Sequence, residues 1–262
     1  ASTMAASAAH HRPQVRAARL AATDPAPGTV VTPTLPPALA GRIDDLVLTP
    51  STRDAVSLRA ADLVAYQHEA YAERYLRLVE RVAAADEGVD GALTAAVGRS
   101  MHQLMAYKDE YEVARLATGP EARRAVAEVA GPEGRGVVLL HPPLLRRLGL
   151  QRKLRFGPAA RPVLRGLAKA RRLRGTALDP FGRDPLRRTE RALIAEYEAM
   201  VDELLAGLHP GRVDEAVAIA GLPDRIRGYE DLKMRRVAEY RSAAATAMAH
   251  WRRPPDHGPT DH

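Results

Sequence analysis

From Ser57 onward apolar side chains return at helical intervals for most of the chain, and that periodicity constrains the fold more than any other feature. Leu58, Leu63, Tyr66, Ala70, Leu76, Val79 and Val82 recur at spacings of three to six, which predicts one long helix running to about Ala85. Gly88 and Gly91 punctuate. Leu93, Val97, Met101, Leu104, Met105, Tyr111 and Leu116 then mark a second long helix that stops near Gly119 and Pro120. An antiparallel pair is the economical arrangement of the two. Pro158 to Leu173 reads as a basic helix. After the turn Asp179-Pro180-Phe181-Gly182, a helix from about Pro185 carries Leu193, Ile194, Tyr197, Met200, Val201 and Leu204 on one face. Val213 to Ala220 is a short helix ended by Gly221, and Tyr229 to Trp251 is the last. Val137 to Leu140 is a short aliphatic run ahead of His141-Pro142-Pro143 and reads as a strand. The fold class expected is mainly α, a helical domain with a Pro- and Gly-rich basic insertion and one short strand pair.

The flanks differ. Pro25, Pro27, Pro33, Pro36, Pro37 and Pro50 break any helical period near the start. Residues 1–52 are therefore expected to be a flexible linker or the remnant of a preceding domain, 53–252 the helical domain, and 253–262 a disordered tail. Arg12, Arg16 and Arg19 resemble the start of a targeting peptide, yet no apolar core of about 7–15 residues follows. No apolar run reaches the roughly 20 residues that span a bilayer, so a cytoplasmic protein without membrane contact is expected. The start at Ala1 suggests a chain cut from something longer.

Charge is localised. The net charge is +7, from 39 basic and 32 acidic residues, and only four of the basic residues are lysines. Between Glu133 and Arg174 stand twelve basic residues and one acidic, or +11, leaving 7 − 11 = −4 for the rest. Anion binding would have to live in that segment. On a helix from Pro158, Arg161, Arg165, Lys169 and Arg172 form a basic ridge against Leu164, Leu167 and Ala168, the form a phosphate-contacting helix takes. A solvated face has the same pattern. Phe156 is the one aromatic nearby, so nucleic-acid binding by base stacking is not expected.

Motifs of familiar chemistry are few. His68-Glu69 lacks the second histidine of a metalloprotease pair, since position 72 is Ala. No glycine-rich nucleotide loop, Walker loop or nucleophile elbow is present. The densest stretch is Met105 to Leu116. At helical spacing Tyr107, Tyr111 and Arg115 share a face there, and Lys108 and Glu112 make an i, i+4 pair. Two accounts fit: a helix with ordinary intrahelical ion pairs, or a buried polar network through which Tyr107, Lys108 and Arg115 meet a neighbouring domain or an anion.

Several separated blocks resemble the helical C-terminal domain of the large, fused indolepyruvate ferredoxin oxidoreductases, of the 2-oxoacid:ferredoxin oxidoreductase family. They are Ala65-Tyr66-Gln67, Tyr71-Ala72-Glu73-Arg74-Tyr75, the run Leu104 to Leu116, Pro142-Pro143-Leu144-Leu145 and Phe156-Gly157-Pro158. Leu173 to Gly182, Glu190-Arg191-Ala192-Leu193-Ile194, Tyr197-Glu198, Leu222-Pro223-Asp224 and Ile226-Arg227-Gly228 follow in order. Together they cover roughly residues 58 to 250, and the blocks around Tyr107 and Asp179 are the specific ones. The segment between the Tyr107 block and Pro142 is shorter here than the family pattern.

The resemblance implies a parent enzyme that oxidatively decarboxylates aryl 2-oxoacids on thiamine diphosphate and Mg²⁺, passes electrons through iron–sulfur clusters to ferredoxin, and yields an acyl-CoA. This chain has no cysteine to ligate a cluster and no asparagine for the family's Mg²⁺–diphosphate motif. Those cofactors are expected only in catalytic domains or subunits, which would be this domain's partners, with ferredoxin an indirect one. Catalytic residues are expected in none of its positions. Tyr107, Lys108, Tyr111, Arg115, Arg174, Asp179 and Arg227 are expected at the interface or near an anion such as a CoA phosphate. The rival expectations are a basic polyanion-binding helical module and a degenerate free-standing fragment.

Overall fold

The computed structural model describes residues 34–86, 91–131, 138–140, 154–228 and 230–253. All but Arg253 of the tail expected at 253–262 and most of the segment expected as linker at 1–52 lie outside them. Within them the fold is mainly α, with ten α-helices and one two-stranded sheet. The chain divides into two compact units, residues Lys108–Phe181 forming one and Thr32–Tyr107 with Gly182 onward forming the other. The domain expected as continuous over 53–252 is thus crossed by a second unit, which contains the basic segment.

The larger unit begins where a linker was expected. Pro37–Asp44 is a helix, α1, with proline in its first turn. Proline there costs nothing, because the first amides of a helix have no intrahelical partner. Leu39 and Ile43, one turn apart, are both buried, and Arg42 donates two hydrogen bonds to the Glu80 carboxylate. Residues 37–44 therefore belong to the core.

The predicted helix up to Ala85 is two helices, α2 (Pro50–Tyr66) and α3 (Glu69–Ala85). Thr49 caps the first through Thr52 N. His68 Nδ1 accepts from Tyr71 N at 3.1 Å and starts the second. Leu58 and Ala70, both on the predicted stripe, lie outside the core, each on a different side of its own helix from Leu63 and Tyr66 or Leu76, Val79 and Val82, which are buried. Helix α4 (Ala92–Met105) follows Gly91, whose φ of 68° is a left-handed conformation that glycine adopts without strain. Asp86 ties this start down by accepting from both Thr94 N and Thr94 Oγ1.

After residue 182 come α8 (Pro185–Ala206), α9 (Val213–Ala220) and α10 (Glu230–Trp251), close to expectation. Helix α4 sits centrally, packing on α2, α3, α8 and α9. Tyr75, Met101, Tyr197, Val201 and Trp251 fill the interior. Around its rim, ion pairs bridge helices distant in sequence: Arg74 to Glu198, Arg81 to Asp202, Arg241 to Glu196 and Arg252 to Glu203.

The smaller unit has α5 (Glu110–Thr118), α6 (Pro120–Ala130), α7 (Arg161–Lys169) and an antiparallel pair of β1 (Val138–Leu140) with β2 (Leu154–Phe156). Helix α6 has no counterpart in the expectation, which placed no element between Gly119 and Gly136. Proline at its first position and Gly119 before it are nonetheless ordinary start signals. Helices α5 and α7 pack through Ala114, Leu164 and Ala168. This is a small apolar seam.

Four tyrosines carry a signature of this packing. Burial raises the phenols of Tyr75, Tyr111, Tyr197 and Tyr240 above their ordinary value, Tyr240 to about 12. An unfolded tyrosine ionises near pH 10. These groups hold protons in the folded chain that the unfolded chain releases, so their stabilisation is complete below about pH 10 and is lost as pH rises through the folded values. Following phenolate absorbance against pH should show these four of the eight tyrosines titrating only as the helices unfold. Four that ionise normally, with helicity intact, would contradict the packing.

Candidate functional site

The segment richest in candidate residues is where the chain leaves the larger unit, between Tyr107 and Lys108. The expected helical face of Tyr107, Tyr111 and Arg115 does not form. Helix α5 starts only at Glu110, so Tyr107 and Lys108 precede it. Glu112 accepts at both carboxylate oxygens from Arg115, three residues on, at 2.8 and 2.7 Å. The late start of α5 is set by Asp109, whose carboxylate accepts from Glu112 N at 2.8 Å and caps the helix. Asp109-x-x-Glu112 is a capping-box pattern, a signal that was available in the sequence.

Inside the smaller unit Asp109 also meets Arg174. Nε lies 2.5 Å from one carboxylate oxygen and Nη2 2.9 Å from the other, and the side chains are only 2% and 3% exposed. The Arg174 guanidinium stands over the Tyr111 ring, 5.5 Å from its centroid. Tyr111 in turn donates its hydroxyl to Asp179 at 3.0 Å and meets the Phe181 ring edge-on. Asp179 also accepts from the amides of Gly175 and Phe181, at 2.8 and 3.0 Å. Gly175 has φ of 76°, a turn conformation suited to glycine. Burial first, then the Asp179 carboxylate, keeps the Tyr111 phenol protonated well above its usual range. Tyr111, Arg174 and Asp179 are thus brought together with Asp109. Their polar atoms face one another, fastening the 173–181 turns to the start of α5.

Tyr107 belongs to the larger unit. Its carbonyl accepts from the Tyr66 hydroxyl at 2.8 Å, and its ring lies 5.9 Å from the Arg187 guanidinium carbon. Beside it is a buried ionic group that sequence reasoning did not single out. Glu190, 3% exposed, accepts from Arg187 at 2.6 Å and from Lys233. Arg187 at i−3 has the spacing of a surface pair, and Lys233 stands 43 residues away, so nothing local marks Glu190 as buried. A cavity bordered by Gln103, Tyr107, Glu190, Ile226 and Lys233 has about 20 Å³, room for one water molecule. Arg227 is exposed and pairs with Asp224 three residues before it.

The helix expected over Pro158 to Leu173 is α-helical only from Arg161 to Lys169, with Arg172 in the 3-10 turn that follows. Arg161, Arg165, Lys169 and Arg172 are all exposed, while Leu164 and Ala168 are buried against α5. Among the described residues no group of three His, Asp or Glu side chains is placed to hold a metal ion, and no helix is long and apolar enough to cross a membrane.

Fold and site together define a helical domain crossed by a small basic unit, whose most distinctive motif residues fasten its own turns. The chain belongs to DUF6537, a family of unknown function whose model matches residues 52–246. No curated protein and no solved structure matches it.

Proposed function

We propose that this is the accessory C-terminal-type domain of an indolepyruvate ferredoxin oxidoreductase-like enzyme, a cytoplasmic helical scaffold for catalytic domains that oxidatively decarboxylate aryl 2-oxoacids. The ordered run of sequence blocks over residues 58–250 carries it. The two most specific blocks supply Asp109, Tyr111, Arg174 and Asp179, which satisfy one another inside one unit. Side chains that satisfy one another inside a unit suit a scaffold. Thiamine diphosphate, Mg²⁺ and iron–sulfur clusters would be carried by the catalytic part, with ferredoxin reached through it, since a chain without cysteine has no thiolate for a cluster.

The test is isolation of the protein from its native lysate, followed by assay of the recovered material for thiamine diphosphate and iron. Both cofactors are expected, in stoichiometric amount with a catalytic polypeptide. Recovery without either, from cells expressing a candidate catalytic partner, would remove the proposal.

A further inference from the structure

We propose that the ridge Arg161, Arg165, Lys169 and Arg172 is a docking face for a carboxylate-rich protein surface, namely that of the catalytic part of the enzyme. This rests on the function proposed above. The observation behind it is a contrast in how cations are treated. In the larger unit several exposed arginines meet carboxylates from a distant part of the chain, as in Arg81 with Asp202, Arg241 with Glu196 and Arg252 with Glu203, although Arg188 and Arg235 do not among the described residues. In the smaller unit none of the four ridge residues has an ion pair among the described residues. From Leu154 to Leu178 the sequence has seven basic residues and no acidic one.

Such a ridge works against its own helix. Arg161, Arg165 and Lys169 succeed one another at i, i+4 spacing, about 6 Å along the axis, where like charges destabilise. Arg171 shows the local field: burial, then Arg172, Arg115 and Arg174, lower its pKa from the ordinary arginine value. Its Nε is buried without a hydrogen-bond partner. The ridge is also held in place, because Leu164 and Ala168 pin the other side of α7 against Ala114. A fixed row of guanidinium groups matches carboxylates, which they grip in bidentate fashion.

Protein carboxylates fit better than nucleic-acid phosphates for two reasons. Exposed Leu173 and Leu178 follow the ridge in the chain, and apolar groups beside arginines suit a protein interface. Tyr111 and Phe181 of this unit are packed on each other, so neither is available for stacking on bases.

Lys169 provides the test, as the one primary amine on the ridge. The protein as isolated, with its catalytic part, is treated with a zero-length carbodiimide, which joins amines to carboxylates in direct contact. Mass spectrometry is expected to find Lys169 joined to Asp or Glu of the catalytic part. Arg161→Glu with Arg165→Glu, both exposed and shown helical by circular dichroism, should lower that yield at least about tenfold, given the several kcal/mol that juxtaposed like charges cost. Lys169 joined only within residues 1–262, or not at all while the catalytic part is present, overturns the docking face and leaves the proposed function standing. Absence of any thiamine diphosphate polypeptide removes the function and this partner with it. Salt-sensitive binding of duplex DNA that the reversed variant loses would assign the ridge to phosphate and overturn the proposal.

Discussion

Asp109→Ala should destabilise the Lys108–Phe181 unit by about 3–5 kcal/mol, the largest effect of any single polar substitution in it. The carboxylate does two jobs. It caps α5 through Glu112 N and neutralises Arg174, whose side chain is 2% exposed. Loss of an N-cap costs about 1 kcal/mol, whereas a buried guanidinium deprived of its carboxylate costs several. The second term decides the outcome. Asp109→Ser separates the two, because serine caps a helix and carries no charge; it should be milder than alanine by only about 1 kcal/mol. Replacing both partners, Asp109→Leu with Arg174→Met, should recover most of the loss, since a buried pair exchanged for apolar groups of similar volume is often neutral. Denaturant unfolding, with hydrogen exchange read on the amides of Glu110–Lys169, measures each. If serine restored wild-type stability, the cap would be the whole effect and the buried pair would contribute nothing.

In the larger unit the corresponding site is Glu190. One carboxylate, 3% exposed, sits between Arg187 and Lys233, which are 9% and 18% exposed. Glu190→Ala removes the one carboxylate that Arg187 and Lys233 share. Lys233 can lift its ammonium toward solvent on its flexible stem, but Arg187 is held deeper, beside the Tyr107 ring. The loss should therefore fall near the low end of the buried-pair range, about 3 kcal/mol. Glu239→Ala is the control: its pair with Arg236 is exposed, at 57% and 48%, and exposed pairs are worth under about 1 kcal/mol. Equal shifts in the two urea midpoints would show that burial at Glu190 has no energetic consequence.

These two sites show where local signals end. Helices α8, α9 and α10 and the ridge on α7 were legible because each depends on periodicity and caps within a single stretch: Asp184 accepting from Leu186 N, Gly221 after Ala220, Leu164 alternating with Arg161 and Arg165. Helix α1 was not legible, because the prolines of residues 25–50 look like breakers until Leu39 and Ile43 are seen against the core. The breaks at His68 and Asp109 fell inside apolar stripes that continue on both sides. A side-chain cap three residues ahead, short-range but easily outvoted by periodicity, decides them.

What the sequence by itself determined is the helical class, the seven-cation stretch from Arg155 to Arg174 without an acidic residue, and the lack of cysteine that leaves no thiolate ligand. Those follow from residue type and spacing alone. Only the tertiary structure decided which charges are buried. Arg174 meets Asp109 across 65 residues, and Lys233 meets Glu190 across 43. Whether a carboxylate is a solvated surface group or the counter-charge of a buried cation depends on what the fold places against it, and that information lies in no local window of the chain.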